Sequence, residues 1–113
     1  MHELSLACSL IEEAEKVLDA ENAARAICVT IGIGKLSGIE LDAFEFAFPM
    51  AAEGTRLEKA ELVINDLPIT VRCRKCEKES NPDFPRCVCT FCESDDIELL
   101  GGREFNIQSM EIE

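Results

Sequence analysis

Histidine occurs once in these 113 residues, at His2. A nucleophilic cysteine needs a base within hydrogen-bond reach, and a chain this poor in histidine offers it no imidazole partner. There is no glycine-rich loop of the kind that cradles phosphate, so an enzyme is the weakest reading. Basic residues are also scarce: eleven Lys and Arg stand against 23 Asp and Glu, a net charge of −12. Binding to a phosphate backbone needs the opposite balance, which argues against DNA or RNA and points to cations or basic protein surfaces as partners. No apolar run approaches the roughly 20 residues of a membrane span. Nothing resembles a cleavable signal, so the expected location is the cytoplasm. No internal repeat or low-complexity tract interrupts the chain.

Cysteine, by contrast, is abundant, with seven in a chain of this length. In a reducing compartment that favours metal binding over disulfides. Cys73-x-x-Cys76 and Cys89-x-x-Cys92 face each other across the polar loop Asn81-Pro82-Asp83-Phe84-Pro85-Arg86. Each pair places two sulfurs on one tight turn, and two such turns make the ligand set of a tetrahedral Zn2+ held by four thiolates. Between Arg72 and Cys92 five basic residues (Arg72, Arg74, Lys75, Lys78, Arg86) outnumber three acidic ones (Glu77, Glu79, Asp83). That surplus offsets the −2 of Zn2+ with four thiolates, so these cations read as partners of the cluster and of each other rather than as a nucleic-acid patch. Cys87 could exchange with Cys89, but only Cys89-x-x-Cys92 repeats the compact turn, which leaves Cys87 a spare thiol. Iron is the rival metal. Rubredoxin-type knuckles usually follow their cysteines with Gly or Pro, and here Glu77, Thr90 and Glu93 stand there.

The remaining pattern predicts an α+β fold: two helices packed on a three-stranded sheet, with a zinc-knuckle lobe inserted between the last two strands. Leu4, Ala7, Cys8, Ile11, Ala14 and Leu18 recur at helical steps. Ile27, Val29, Ile31 and Ile33 alternate as one face of a strand. Ser37-Gly38-Ile39-Glu40 has capping-box spacing ahead of the stripe Ile39, Leu41, Phe44, Phe48 and Ala51. Phe44, Phe46 and Phe48 also alternate as a strand would, but the cap and Ala51-Ala52 favour a helix that Pro49 should kink and Gly54 should end. Residues 60–71 read as one extended segment with an edge or bulge at Pro68. Phe105 and Ile107 shift register to Met110 and Ile112 across Gln108-Ser109 in the last strand, and Gly101-Gly102 reads as a hinge. The expected division is an α/β domain of residues 1–71 plus 102–113, and a four-cysteine zinc domain of residues 72–101.

The start of the chain offers the first domain a metal site of a different kind. The Met1 amine, the His2 amide nitrogen and the His2 imidazole can close one five- and one six-membered chelate ring around a single ion. These are three corners of a square plane, a set that suits Ni2+ or Cu2+ better than Zn2+. The plainer reading is a solvated histidine, and chemistry alone leaves both open. Taken together, however, Met1-His2-Glu3-Leu4-Ser5-Leu6-Ala7, Ile31-Gly32-Ile33-Gly34-Lys35-Leu36-Ser37, Glu53-Gly54-Thr55 and the two C-x-x-C pairs resemble the HypA/HybF family of nickel chaperones over essentially the whole length. The resemblance implies a metallochaperone that delivers nickel to the [NiFe]-hydrogenase large-subunit precursor, and in some bacteria to urease through its accessory proteins. It implies a HypB-type GTPase as partner. The family's nickel site corresponds to Met1, His2 and Glu3, and its structural zinc ligands to Cys73, Cys76, Cys89 and Cys92. Thr90 departs from the family, which commonly has proline there, as does the extra Cys87. A zinc-ribbon interaction module with no nickel role is the competing reading.

Overall fold

The helical spacing after Leu4 becomes α1 (Glu3–Ala20) in the computed structural model, which describes residues 3–113. Its buried stripe is Ala7, Leu10, Ile11, Ala14 and Leu18, while Leu4 and Cys8 are exposed. The buried arc is therefore rotated toward Leu10 and away from the side that carries Leu4 and Cys8. β1 (Ala26–Gly34) follows and buries Val29, Ile31 and Ile33, with Ile27 exposed near its start. It is the central strand of a sheet ordered β2-β1-β6, where β2 is Glu61–Leu67 and β6 is Phe105–Ile112. Along β6 the half-buried positions run Phe105, Ile107, Met110 and Ile112, so the inward face changes between Gln108 and Ser109 within one strand.

The three alternating phenylalanines resolve as helix. α2 (Leu41–Ala52) buries Phe44, Ala47, Phe48 and Ala52, with the Phe44 and Phe48 rings 6.2 Å apart. A period of 3.6 puts Phe46 on the opposite side, 74% exposed. The helix begins later than the capping-box spacing predicts, with Glu40 at the N-cap and no side-chain cap. Ser37 is instead tied into a turn by its N–H to the Gly34 carbonyl (3.0 Å), and Gly38 at φ +79° breaks helical geometry before Glu40. Pro49 does not stop the helix. It sits in the last turn, where its missing N–H removes a single bond, to the Glu45 carbonyl. Gly54, at φ +78°, ends it as predicted. Arg56 then reaches back to α1: its N–H and guanidinium bond Glu15, and it pairs with Asp19 at 2.8 Å.

The extended segment at 60–71 is two strands. β2 ends at Leu67 and β3 (Thr70–Cys73) belongs to a second sheet, because Pro68 has no N–H with which to continue a ladder. That sheet is ordered β4-β3-β5, with β4 at Glu79–Ser80 and β5 at Ile97–Gly101, both antiparallel to β3. The four-cysteine lobe is thus inserted between β2 and β6, the last two strands of the first sheet. Neither β4 nor β5 shows in the pattern, since β4 is two residues long and β5 follows an acidic turn.

Two compact units divide the chain, one of 1–32, 39–65 and 106–113, the other of 33–38 and 66–105. The first holds both helices and most of the three-stranded sheet. The second has a small core of Ile33, Ile69, Val71, Cys73 and Cys89.

Gly101-Gly102 is not the free hinge that its composition suggests. Gly101 pairs with Thr70, and buried Gly102 donates to Glu104 Oε1 (2.7 Å) and accepts from the Leu36 N–H (2.6 Å). The requirement for glycine is one of space: a β-carbon on Gly34 would lie 2.1 Å from the Gly102 carbonyl oxygen. Gly34→Ala should therefore cost at least about 1–3 kcal/mol of stability, the range of an overpacked core. Gly54→Ala, where a β-carbon meets nothing within 4 Å, should cost only the roughly 1–2 kcal/mol of left-handed strain. Denaturant unfolding of the two variants checks the order, which a smaller loss for Gly34→Ala would reverse.

Candidate metal centre

Each cysteine pair closes the same turn. After β3 ends at Cys73, the Lys75 and Cys76 N–H groups point at the Cys73 sulfur (3.3 and 3.4 Å), and the Glu77 N–H bonds the Cys73 carbonyl at 3.0 Å. The Cys73 N–H in turn bonds the Lys78 carbonyl. The second pair repeats these contacts: Phe91 N–H to the Cys89 sulfur (3.4 Å), Glu93 N–H to the Cys89 carbonyl (2.9 Å), Cys89 N–H to the Ser94 carbonyl. Glu77 and Glu93, one after each second cysteine, both take left-handed φ, 63° and 61°. Buried Ser80 joins the turns, its Oγ accepting the Thr90 N–H at 3.3 Å.

The consequence is that the sulfurs of Cys73, Cys76, Cys89 and Cys92 all lie within 4.8 Å of one another. Cys73 and Cys92 are 3.5 Å apart and Cys76 and Cys89 3.6 Å, far from a disulfide's roughly 2.0 Å. Four sulfurs each about 2.3 Å from a central Zn2+ define a tetrahedron with edges of about 3.8 Å, so this donor set fits such an ion. Backbone N–H groups aimed at Cys73 and Cys89 favour thiolate there. The Cys76 amide, above all, holds Cys73 down to about 6 from its ordinary 9.0, and the Cys92 amide does the most to lower Cys89. The other two rise. The Lys78 amide pulls Cys76 down, but burial and the Cys89 and Cys73 thiols outweigh it. The Ser94 amide likewise pulls on Cys92, but Cys73, burial, Cys89 and Cys76 push it up to about 11. Negative charge on one sulfur of each pair thus opposes charge on the other until a cation arrives.

Cys87, half-buried, is not part of this group of four. The surrounding cations pair mainly with carboxylates: Arg72 with Glu79 (3.1 Å), Arg74 with Asp96 (3.1 Å) and Arg86 with Glu93 (3.6 Å). All are exposed and individually weak. Lys78 lies over the Phe91 ring at 4.9 Å. Among the described residues this is the one cluster of His, Cys, Asp or Glu placed to hold a metal.

Of the other predicted ligands, Met1 and His2 lie outside the described residues. Glu3 opens α1, and its carboxylate accepts a long hydrogen bond (3.4 Å) from the Glu40 N–H at the start of α2. Sequence reasoning did not foresee this contact, which joins positions 37 residues apart.

Residues 1–112 match the family model described as "Hydrogenase/urease nickel incorporation, metallochaperone, hypA". The chain belongs to the HypA family. A hydrogenase maturation factor HypA from Chlorobium limicola is 38% identical over 113 residues, covering 100% of this chain and 97% of that one. Its counterpart from Roseiflexus is 38% identical over 114 residues, covering 100% and 93%. The solution structure of the Ni metallochaperone HypA from Helicobacter pylori superposes with a TM-score of 0.72 at 29% identity, covering 99% of this chain and 97% of that one. HypA proteins are nickel-incorporation metallochaperones and maturation factors for hydrogenase or urease, and the fold described above is theirs.

A left-handed residue after the second cysteine is the backbone feature on which each turn depends, and composition gave no sign of it, since glutamate rarely adopts it. Glu77→Val, β-branched at positive φ, should lower the denaturation midpoint clearly. Glu77→Gly should leave it within about 1 kcal/mol of the parent, because relief of strain and loss of chain entropy nearly cancel. Equal losses for the two variants would mean that φ at this position does not matter.

Proposed function

We propose that this HypA-family chain carries Ni2+ at its N-terminus and hands it on, with zinc as a structural cross-link in a separate lobe. In this reading the Met1 amine, the His2 amide and the His2 imidazole hold nickel in a plane, and Glu3 supports them. Cys73, Cys76, Cys89 and Cys92 hold Zn2+. Nickel belongs to residues 1–71 plus 102–113 and zinc to residues 72–101. The acceptor is the [NiFe]-hydrogenase large-subunit precursor, with urease as a further client, and a HypB-type GTPase assists. The work is binding and transfer in the cytoplasm, not catalysis. No helix among the described residues is long and apolar enough to cross a membrane.

The observation that carries this reading is the family match, which begins at residue 1 and so includes the single histidine of the chain. Its chemistry follows from the donors. Amine, amide and imidazole must each lose a proton to ligate, so nickel affinity falls as pH falls. Three nitrogens leave one corner of the plane for a ligand from the acceptor, so nickel can pass by exchange without being released.

Calorimetric titration of zinc-loaded protein that begins at Met1 tests both sites. His2→Ala should weaken nickel binding by orders of magnitude and leave zinc content unchanged, and Glu3→Gln should cost less than His2→Ala. Cys73→Ser should release zinc, while Cys87→Ser should keep one zinc per chain. Equal nickel affinity for parent and His2→Ala would overturn the nickel site and leave a zinc-ribbon interaction module. Full zinc content in Cys73→Ser would overturn the ligand set.

A further inference from the structure

The face of α2 opposite its buried stripe carries Phe46, Pro49 and Met50 at i, i+3 and i+4, with Phe46 74% and Met50 51% exposed. Single exposed apolar residues are ordinary, but a contiguous stripe is not. Beside it lies a cavity of about 340 Å³ lined by Glu45, Phe48, Pro49, Ala52, Glu58, Ala60 and Leu62. Its apolar wall is Phe48, Pro49, Ala52, Ala60 and Leu62. The charged side chains among the lining residues are the carboxylates of Glu45 and Glu58, the latter already accepting the Gly54 N–H at 2.8 Å, and Pro49 has no N–H for the Glu45 carbonyl. Asp42, one turn before Phe46, and Glu53, three residues after Met50, add negative charge at both ends of the stripe.

An apolar wall beside two carboxylates suits a lysine or arginine, whose methylene stem lies on carbon while its head donates. The wider field agrees. The unit containing α2 has fourteen acidic residues and four basic ones, Lys16, Arg25, Arg56 and Lys59, and so carries ten of the twelve excess negative charges of the chain. Arg25 and Arg56 are already paired, with Glu113 and with Glu15 and Asp19. A second copy of this unit would bring the same surplus and be repelled, so the charge selects a partner of opposite sign.

We propose that the outer face of α2 is a docking site for a basic amphipathic helix of a partner protein. The helix lays its apolar residues on Phe46 and Met50 and places a Lys or Arg in the cavity beside Glu45 and Glu58. The site is independent of nickel and of His2.

The test uses the zinc-loaded full chain and a synthetic helix with leucine at i, i+3, i+4 and i+7 and lysine elsewhere, followed by amide NMR shifts. Shifts should centre on residues 42–53 and Leu62. Phe46→Ser combined with Met50→Ser should weaken binding at least about tenfold, as loss of interface anchors does. Glu45→Gln should weaken it severalfold and flatten its salt dependence. Glu12→Gln with Glu13→Gln, on the exposed face of α1, should leave affinity unchanged, and a peptide with glutamate replacing lysine should not bind. Unchanged affinity in the Phe46/Met50 variant, or an equal loss in the Glu12/Glu13 variant, would overturn the proposal in favour of unspecific attraction to an acidic protein. A parent dimer in sedimentation that dissociates on Phe46→Ser would also overturn it, since the face would then be covered by a second copy.

Discussion

Four sulfurs gathered within 4.8 Å are the constraint on which the second unit depends. Its buried apolar core is small, namely Ile33, Ile69, Val71, Cys73 and Cys89, and two of these are cysteines of the cluster. A core of this size is marginal without a cross-link. The two knuckles supply the geometry for one: equal backbone contacts, equal left-handed glutamates and amides aimed at sulfur. Uneven thiol acidity follows from the same packing, with Cys73 lowered and Cys92 raised. The proposed zinc would remove this tension by replacing protons with one divalent charge.

The first unit depends on different physics. Apolar stripes on α1 and α2 bury against each other, and Arg56 fastens the α2–β2 connection to Glu15 and Asp19. The acidic character of this unit costs little where carboxylates face water, and it determines which surfaces the chain can meet. Glu3 has a double setting, since its charge suits the N-terminus of α1 while its carboxylate meets the N-cap amide of α2, that of Glu40.

Much of this was legible from residues alone, where periodicity and burial agree. The stripes at Ala7–Leu18 and Phe44–Phe48, the alternation at Val29–Ile33 and the face change at Gln108-Ser109 have direct counterparts in the structure. The misreadings arise where residues that fit one local pattern serve another contact in the fold. Ser37 looks like a cap but is used in a turn with Gly34, and Gly101-Gly102 looks like a hinge but is pinned by Thr70, Leu36 and Glu104. Residues 60–71 look continuous, yet Pro68 divides them between two sheets. At the metal centre the spacing of the four cysteines was visible in the sequence. The N–H groups aimed at them were not, because those depend on backbone angles that glutamate does not advertise.

The proposed function has one small chain keep two ions in chemically distinct settings, sulfur for the structural ion and nitrogen for the transported one. X-ray absorption at the zinc and nickel edges of one sample, loaded with both metals and beginning at Met1, addresses this most directly. The account predicts four sulfurs at about 2.3 Å around zinc and only light donors, nitrogen and oxygen, around nickel. Sulfur in the nickel shell, or a zinc shell containing nitrogen, would contradict it.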